Sequence, residues 1–134
     1  MRAVLDVNVL VSALLSKSGP PARLVVHWLE GTFELVVSNS LLAELERTLA
    51  YPKVVKRITQ AEAAEFVALV RRMATTLGDP ENPPRVSDDP GDDYLIALAG
   101  ASASVLVSGD RHLLALATDL PIQSPVAFLT RLDG

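Results

Sequence analysis

A chain of 134 residues, 49% hydrophobic and 21% charged, has the size and composition of one domain with a substantial buried core. Twelve basic residues against sixteen acidic ones give a net charge of −4, which excludes a protein that coats nucleic acid by bulk positive charge; zero cysteine and two histidines exclude disulfide frameworks and cysteine/histidine zinc sites. Aromatics at 4% are too few for base-stacking platforms, no apolar run approaches the roughly 18 residues of a membrane span, and a strand pattern begins at once with no leader ahead of it, so a cytoplasmic protein is expected.

Short apolar runs alternate with longer stretches of helical period, which predicts an α/β fold with a mainly parallel sheet over a single domain, residues 1–134. Residues 2–5 read as the first strand and 8–15 as a helix, with Leu10, Val11, Leu14 and Leu15 on one face. Lys17 to Pro21 reads as a loop, and a second helix follows over 23–29, ending near Gly31. Residues 33–37 form the second strand. Ser38, Asn39 and Ser40 then offer helix caps ahead of the stripe Leu41, Leu42, Leu45 and Leu49. Tyr51-Pro52 breaks that helix. Thr59 and Glu62 fit a capping box that opens a helix expected to reach Leu77. Residues 79–91 hold four prolines and read as an extended connection, with a short strand expected at 85–87. An alanine-rich helix over 94–101, a buried strand over 104–107, a helix over 110–118 and a last strand and helix from Ile122 complete the chain.

Placed on this map, the acids fall in a pattern. Asp6 ends the first strand, Glu44 lies one turn into the helix after the second, Asp92 and Asp93 open the alanine-rich helix, and Asp110 follows the strand Val105 to Val107. Ligands of open α/β sheets gather beyond the carboxyl ends of the strands, so these acids have a common side of the sheet on which to meet. Carboxylates brought together repel unless a cation lies between them, and hard, oxygen-preferring Mg²⁺ or Mn²⁺ suits such a set. Phosphodiester hydrolysis is the chemistry that such ions serve best. Taken singly, each acid has an ordinary role as well: Asp110 as a helix cap, Asp92 and Asp93 as first-turn acids, Glu44 as a solvent-facing residue.

The runs Val4-Leu5-Asp6-Val7-Asn8-Val9-Leu10 and Val37-Ser38 followed by Leu41-Leu42-Ala43-Glu44-Leu45 resemble the opening half of a PIN domain. Asp89-Pro90-Gly91-Asp92-Asp93-Tyr94-Leu95-Ile96-Ala97-Leu98-Ala99 and Val107-Ser108-Gly109-Asp110-Arg111-His112-Leu113-Leu114 resemble its closing half. The resemblance implies a three-layer α/β/α fold and a Mg²⁺- or Mn²⁺-dependent endoribonuclease. It carries the acidic quartet to Asp6, Glu44, Asp93 and Asp110 as catalytic and metal-binding residues. Asp93 matches by the offset of Leu95-Ile96-Ala97, with Asp92 a close competitor. Asn8 and Ser108 match supporting polar positions. Small single-domain members of this kind resemble the VapC-like toxins of toxin–antitoxin pairs, which implies a small antitoxin partner, an RNA substrate and a homodimer. Arg111 and Arg23 are the basic residues expected nearest the RNA, and His112 is within reach of a phosphate.

A catalytically weak PIN fold that binds a partner protein or RNA is the alternative, disfavoured by the intact acid set. A phosphoaspartate enzyme of the haloacid dehalogenase type would need an acid where Asn8 stands. Neither a P-loop nor a nucleophile-elbow motif is present. With Asp6, Glu44, Asp93 and Asp110 set aside, the remaining twelve acids balance the twelve basic residues. Asp79, Glu81, Asp88, Asp89 and Asp92 crowd one connection, so local field matters more here than total charge.

Overall fold

The protein, studied as a computed structural model, is described at residues 1–87 and 89–134; Asp88, one of the acids crowding the connection, lies outside the described residues. Five strands form one all-parallel sheet: β1 (Arg2–Leu5), β2 (Glu34–Val37), β3 (Thr75–Thr76), β4 (Val105–Val107) and β5 (Ile122–Gln123), in the order β3-β2-β1-β4-β5. Helices cover both faces in an α/β/α arrangement. They are α1 (Val7–Leu15), α2 (Pro20–Leu29), α3 (Asn39–Leu49), α4 (Pro52–Val55), α5 (Gln60–Met73), α6 (Pro90–Ala101), α7 (Arg111–Leu114) and α8 (Pro125–Asp133).

Local chemistry sets the starts of these helices. The Ser38 hydroxyl accepts from the Leu41 amide at 3.3 Å, and Thr59 and Glu62 close a reciprocal capping box at α5. Asp89 caps α6 through the Gly91 amide at 2.9 Å. Gly31, at φ +82°, turns the chain from α2 into β2 in a backbone region that strains any side-chain-bearing residue. The central strands are buried on both faces, as parallel strands under helices must be, and pack with Leu10, Leu24, Leu41, Leu45, Leu98 and Leu113 into one core. Phe33 and Phe128 meet edge to face at 5.3 Å and fix α8 to the sheet.

Several boundaries differ from the sequence expectation, each for a physical reason. The helix expected to reach Leu77 stops at Met73, because Ala74 turns extended and Thr75-Thr76 pair with Val36-Val37 as β3, adding a strand to the free edge of β2. β-Branched threonines favour that extended state, and the Leu77 amide continues the ladder to the Val37 carbonyl at 2.9 Å. No strand forms at 85–87; the Val86 and Ser87 amides bond to the Asp93 side chain instead. The helix expected over 110–118 ends at Leu114. Pro52, read as a break, also opens the short α4, and Pro20-Pro21, read as loop, form the first turn of α2, since proline suits the first helical positions. Likewise α6 begins at Pro90, four residues ahead of Tyr94.

Candidate active site

The strand order places a topological switch between β1 and β4: the chain crosses from β1 to β2 on one side and from β4 to β5 on the other. Helices leaving in opposite directions open a crevice there, at the carboxyl ends of the two strands. Register aligns Leu5 with Val107, so the next residues, Asp6 and Ser108, meet at the mouth of that crevice.

Ser108 is fully buried and organises the mouth. Its hydroxyl donates to Asp6 Oδ2 at 2.8 Å and accepts from the Asp110 amide at 3.0 Å, which ties the first acid to the loop carrying the last. Asp6 is 7% exposed. Its backbone amide donates to the Val107 carbonyl at 2.9 Å, and its Oδ1 accepts a long 3.4 Å contact from the Asn8 amide. Asn8 therefore supports Asp6 through its backbone, while its exposed side chain lines a neighbouring groove. Burial raises the Asp6 pKa above the usual carboxylate value; the hydrogen bonds from Ser108 and Asn8 work against this, and the charges of Glu44 and Asp110 add to it. Asp110 caps α7 by accepting from the His112 amide at 2.8 Å, so its ordinary helix role and its place in the crevice coexist.

The first turn of α6 sends three consecutive residues three ways, as about 100° of rotation per residue requires. Asp92 lines the groove that also holds Asp110, and its pKa is pushed up to about 6 by burial first, then by the charges of Asp89, Asp110, Asp6 and Asp93. Asp93 is 2% exposed and engaged elsewhere: its Oδ1 accepts from the Val86 amide at 3.0 Å, the Ser87 amide at 2.7 Å and the Ser87 hydroxyl at 2.7 Å. Arg85 Nε lies 3.0 Å from Asp93 Oδ2, an ion pair without hydrogen-bond alignment. The Ser87 amide and hydroxyl hold the Asp93 pKa below the ordinary value. The offset match in the sequence favours Asp93 over Asp92 at the ion. In the structure it is Asp92 that shares a groove with Asp110, while Asp93 anchors the connection.

Tyr94, which the sequence reading passed over, donates its hydroxyl to Glu44 Oε2 at 2.6 Å. Burial, followed by Glu44 and then Asp6 and Asp79, holds this phenol protonated well above the usual range. One signal was available: a tyrosine directly ahead of the apolar run Leu95 to Ala99 needs a partner for its hydroxyl. Glu44 is half-buried on α3, and its charge reaches Asp6.

Two grooves meet at Asp110. The larger, about 850 Å³, is lined by Val86, Ser87, Asp92, Arg111, His112 and Leu116 among others; the smaller, about 330 Å³, by Asn8, Ser12, Pro21 and Pro125. Arg111 lines the larger groove together with Asp92 and Asp110. Arg23 does not line either groove: it pairs with Asp133 at 3.1 Å, the same carboxylate that His27 Nε2 meets at 2.9 Å, at the end of α8.

The donor set is all oxygen and acidic, which suits a hard divalent cation. Asp6, Glu44, Asp92 and Asp110 take part in no ion pair among the described residues; the charges of Glu44 and Asp110 raise the proton affinity of Asp6, and those of Asp110 and Asp6 raise that of Asp92. Also among the described residues, no three acidic or imidazole side chains are gathered closely enough to grip an ion as they stand. The residues fit a cation in kind and in shared field. Closing them around it requires side-chain movement, and neutralising their repulsion would favour that movement.

A family model described as a PIN domain matches residues 2–112. The uncharacterized protein MJ1680 of Methanocaldococcus jannaschii is 24% identical over 116 residues, 87% of this chain and 75% of that protein. PAE2754 from Pyrobaculum aerophilum has a similar crystal structure, with a TM-score of 0.68 at 23% identity, covering 99% of this chain and 90% of the other. VapBC2 from Rickettsia felis, bound to a DNA fragment from its promoter, aligns with a TM-score of 0.65 at 12% identity, over 92% of this chain and 98% of the other. VapBC-1 from nontypeable Haemophilus influenzae aligns with a TM-score of 0.63 at 17% identity, over 94% and 99%.

Proposed function

The chain belongs to the PIN-domain family, whose members are in general nucleases, and from that premise we propose that it is a Mg²⁺- or Mn²⁺-dependent endoribonuclease, the toxin of a toxin–antitoxin pair. One observation carries the reading. Asp6 and Asp110, joined through Ser108 at the switch point, share a field with Glu44 and Asp92 in which no basic side chain pairs with any of the four among the described residues. Unpaired acids in a cleft are costly, and an external cation is what offsets that cost.

In this reading Asp6, Glu44, Asp92 and Asp110 hold the ion. A bound divalent cation supplies Lewis acidity and charge neutralisation at a phosphodiester. The protein's own groups do the rest. Ser108 favours the ionised form of Asp6 against its burial and aims it by donating to Oδ2, and the Asn8 amide steadies Oδ1. Asp93 acts one step back, holding Val86 and Ser87 as one wall of the larger groove. Arg111 and His112, exposed on that groove, offer positive charge and hydrogen bonds to the RNA phosphates, which answers the chain's overall acidity locally. The resemblance to VapC-like toxins supports a small antitoxin partner and a homodimer. Among the described residues no helix is long and apolar enough to cross a membrane, and a cytoplasmic location follows from the toxin reading.

The test is cleavage of single-stranded and structured RNA by purified protein with Mn²⁺, with Mg²⁺ and with EDTA, beside an Asp6→Asn variant. Cuts that need metal and vanish in the variant are expected. Equal cutting by both proteins points to a contaminating nuclease and defeats the site assignment. Intact RNA together with a tightly bound protein partner favours the interaction-module alternative.

A further inference from the structure

Glu44 differs from the other three acids in its means of support. Asp6 is fixed by Ser108 and by its place at a strand end, Asp110 by its cap on α7, and Asp92 by the first turn of α6. Glu44 stands on α3 with three rotatable bonds, half-buried beside the charge of Asp6, which repels it. Left alone, such a side chain turns to solvent, where it keeps both its hydration and its rotamer freedom. Among the described residues, the hydrogen bond that holds it inward comes from Tyr94, 50 positions along the chain on α6.

We propose that Tyr94 is a positioning residue of this site: its hydroxyl fixes the Glu44 carboxylate across the crevice and leaves the second carboxylate oxygen free to meet a divalent cation. The inference rests on the metal-dependent reading above. A tyrosine does this well for three reasons. The phenol hydroxyl has a single proton to give, and at 2.6 Å it lies in the range of strong hydrogen bonds to an ionised acceptor. The ring has two side-chain torsions against three for Glu44, and it is half-buried on a helix packed against β1 and β4, so the donor stays where the backbone sets it. The bond also links α3, which follows β2, to α6, which leads into β4, so it ties together elements from the two halves of the sheet. Groups that orient a ligand from behind typically change metal affinity by about 10- to 100-fold.

The experiment measures Mn²⁺ binding to the whole protein by calorimetry and by electron paramagnetic resonance, with thermal melting in EDTA run alongside. Tyr94→Phe keeps the ring and removes the hydroxyl. It is expected to weaken Mn²⁺ binding about tenfold and leave the melting temperature in EDTA nearly unchanged. In a Glu44→Gln background the same change is expected to have no further effect on Mn²⁺ binding, because the carboxylate it positions is gone. Glu44→Asp, which leaves Tyr94 intact but falls short of its hydroxyl, is expected to reproduce the loss. Equal Mn²⁺ affinity in Tyr94→Phe and wild type overturns the inference, as does an equal loss in the Glu44→Gln background, which would mean that Tyr94 acts through the fold. Wild-type protein that binds no Mn²⁺ overturns the metal reading itself and this inference with it, a result separable from the other two.

Discussion

The groove between α3 and α5, about 380 Å³, is lined by Leu49, Ala63, Ala64, Val67 and Ala68, and its two charged residues, Glu46 and Arg71, pair with each other. The groove at the carboxyl edge of the sheet carries Asp92 and Asp110 with no such pairing among the described residues, although Arg111 lines the same wall. One surface neutralises its charges internally and is close to energetically indifferent to them. The other keeps like charges together and raises the proton affinity of Asp92, a state that costs stability until something positive arrives. Unneutralised charge in a cleft therefore says more about chemistry than a groove's size or its apolar lining does.

That contrast breaks first if divalent metal fails to stabilise the protein. At Mn²⁺ a hundredfold above its dissociation constant, mass action adds about 2.7 kcal/mol, a rise of roughly 5–10 °C in melting temperature for a domain of this size. The rise should reverse with EDTA and shrink in Asp6→Asn; a calorimetric scan with no metal-dependent shift would sink the cation reading.

The next effect separates two neighbours. Asp93→Asn should lower the melting temperature by about 5 °C, because an amide cannot accept from Val86, Ser87 and the Ser87 hydroxyl as a carboxylate does. Asp92→Asn should instead leave metal-free protein as stable as wild type or more so at pH 7, since it removes a carboxylate crowded by Asp89, Asp110 and Asp6. Similar losses from both substitutions would erase the distinction between them.

A smaller signature is the pH dependence of metal-free stability. Asp92 titrates near 6 when folded against an ordinary value of 3.8, so between about pH 4 and 6 the folded state binds more protons than the unfolded one. Its contribution is then present at low pH and lost as pH rises through 6; Asp6 acts in the same direction. Asp93, with its pKa lowered, contributes stability above the ordinary carboxylate value that disappears as pH falls below it. Urea unfolding of Asp92→Asn across this range should show a flatter profile than wild type between pH 4 and 6, and an unchanged slope would contradict the crowding. The least effect belongs to the paired groove: Glu46→Gln removes an exposed ion pair worth about 0.5 kcal/mol and should leave RNA cleavage within about twofold of wild type.

Much of this was legible in the residues. Asp6 and Asp110 are readable as strand-end acids because β1 and the run Val105 to Val107 stand out as buried parallel strands, and the capping box of α5 is a local pattern that needs no tertiary partner. β3 was not legible: Thr75-Thr76 pair only because β2 offers an open edge, and nothing within the two residues records that edge. The strand expected at 85–87 failed for the converse reason, its amides having a stronger acceptor in a carboxylate six or seven residues away.

By itself, then, the sequence determined the α/β layout, the oxygen-only character of the proposed site and the positions of the candidate acids along the chain, since these depend on residue type and local periodicity. The tertiary structure decided which way each acid faces. α6 is rolled by the burial of Leu95, Leu98 and Ala99, and the stripe continued one turn back from Leu95 arrives at Asp92. A difference of one residue is about 100° around a helix, so packing at the far end of α6 turns Asp92 to the groove, Asp93 to the connection and the Tyr94 hydroxyl to Glu44.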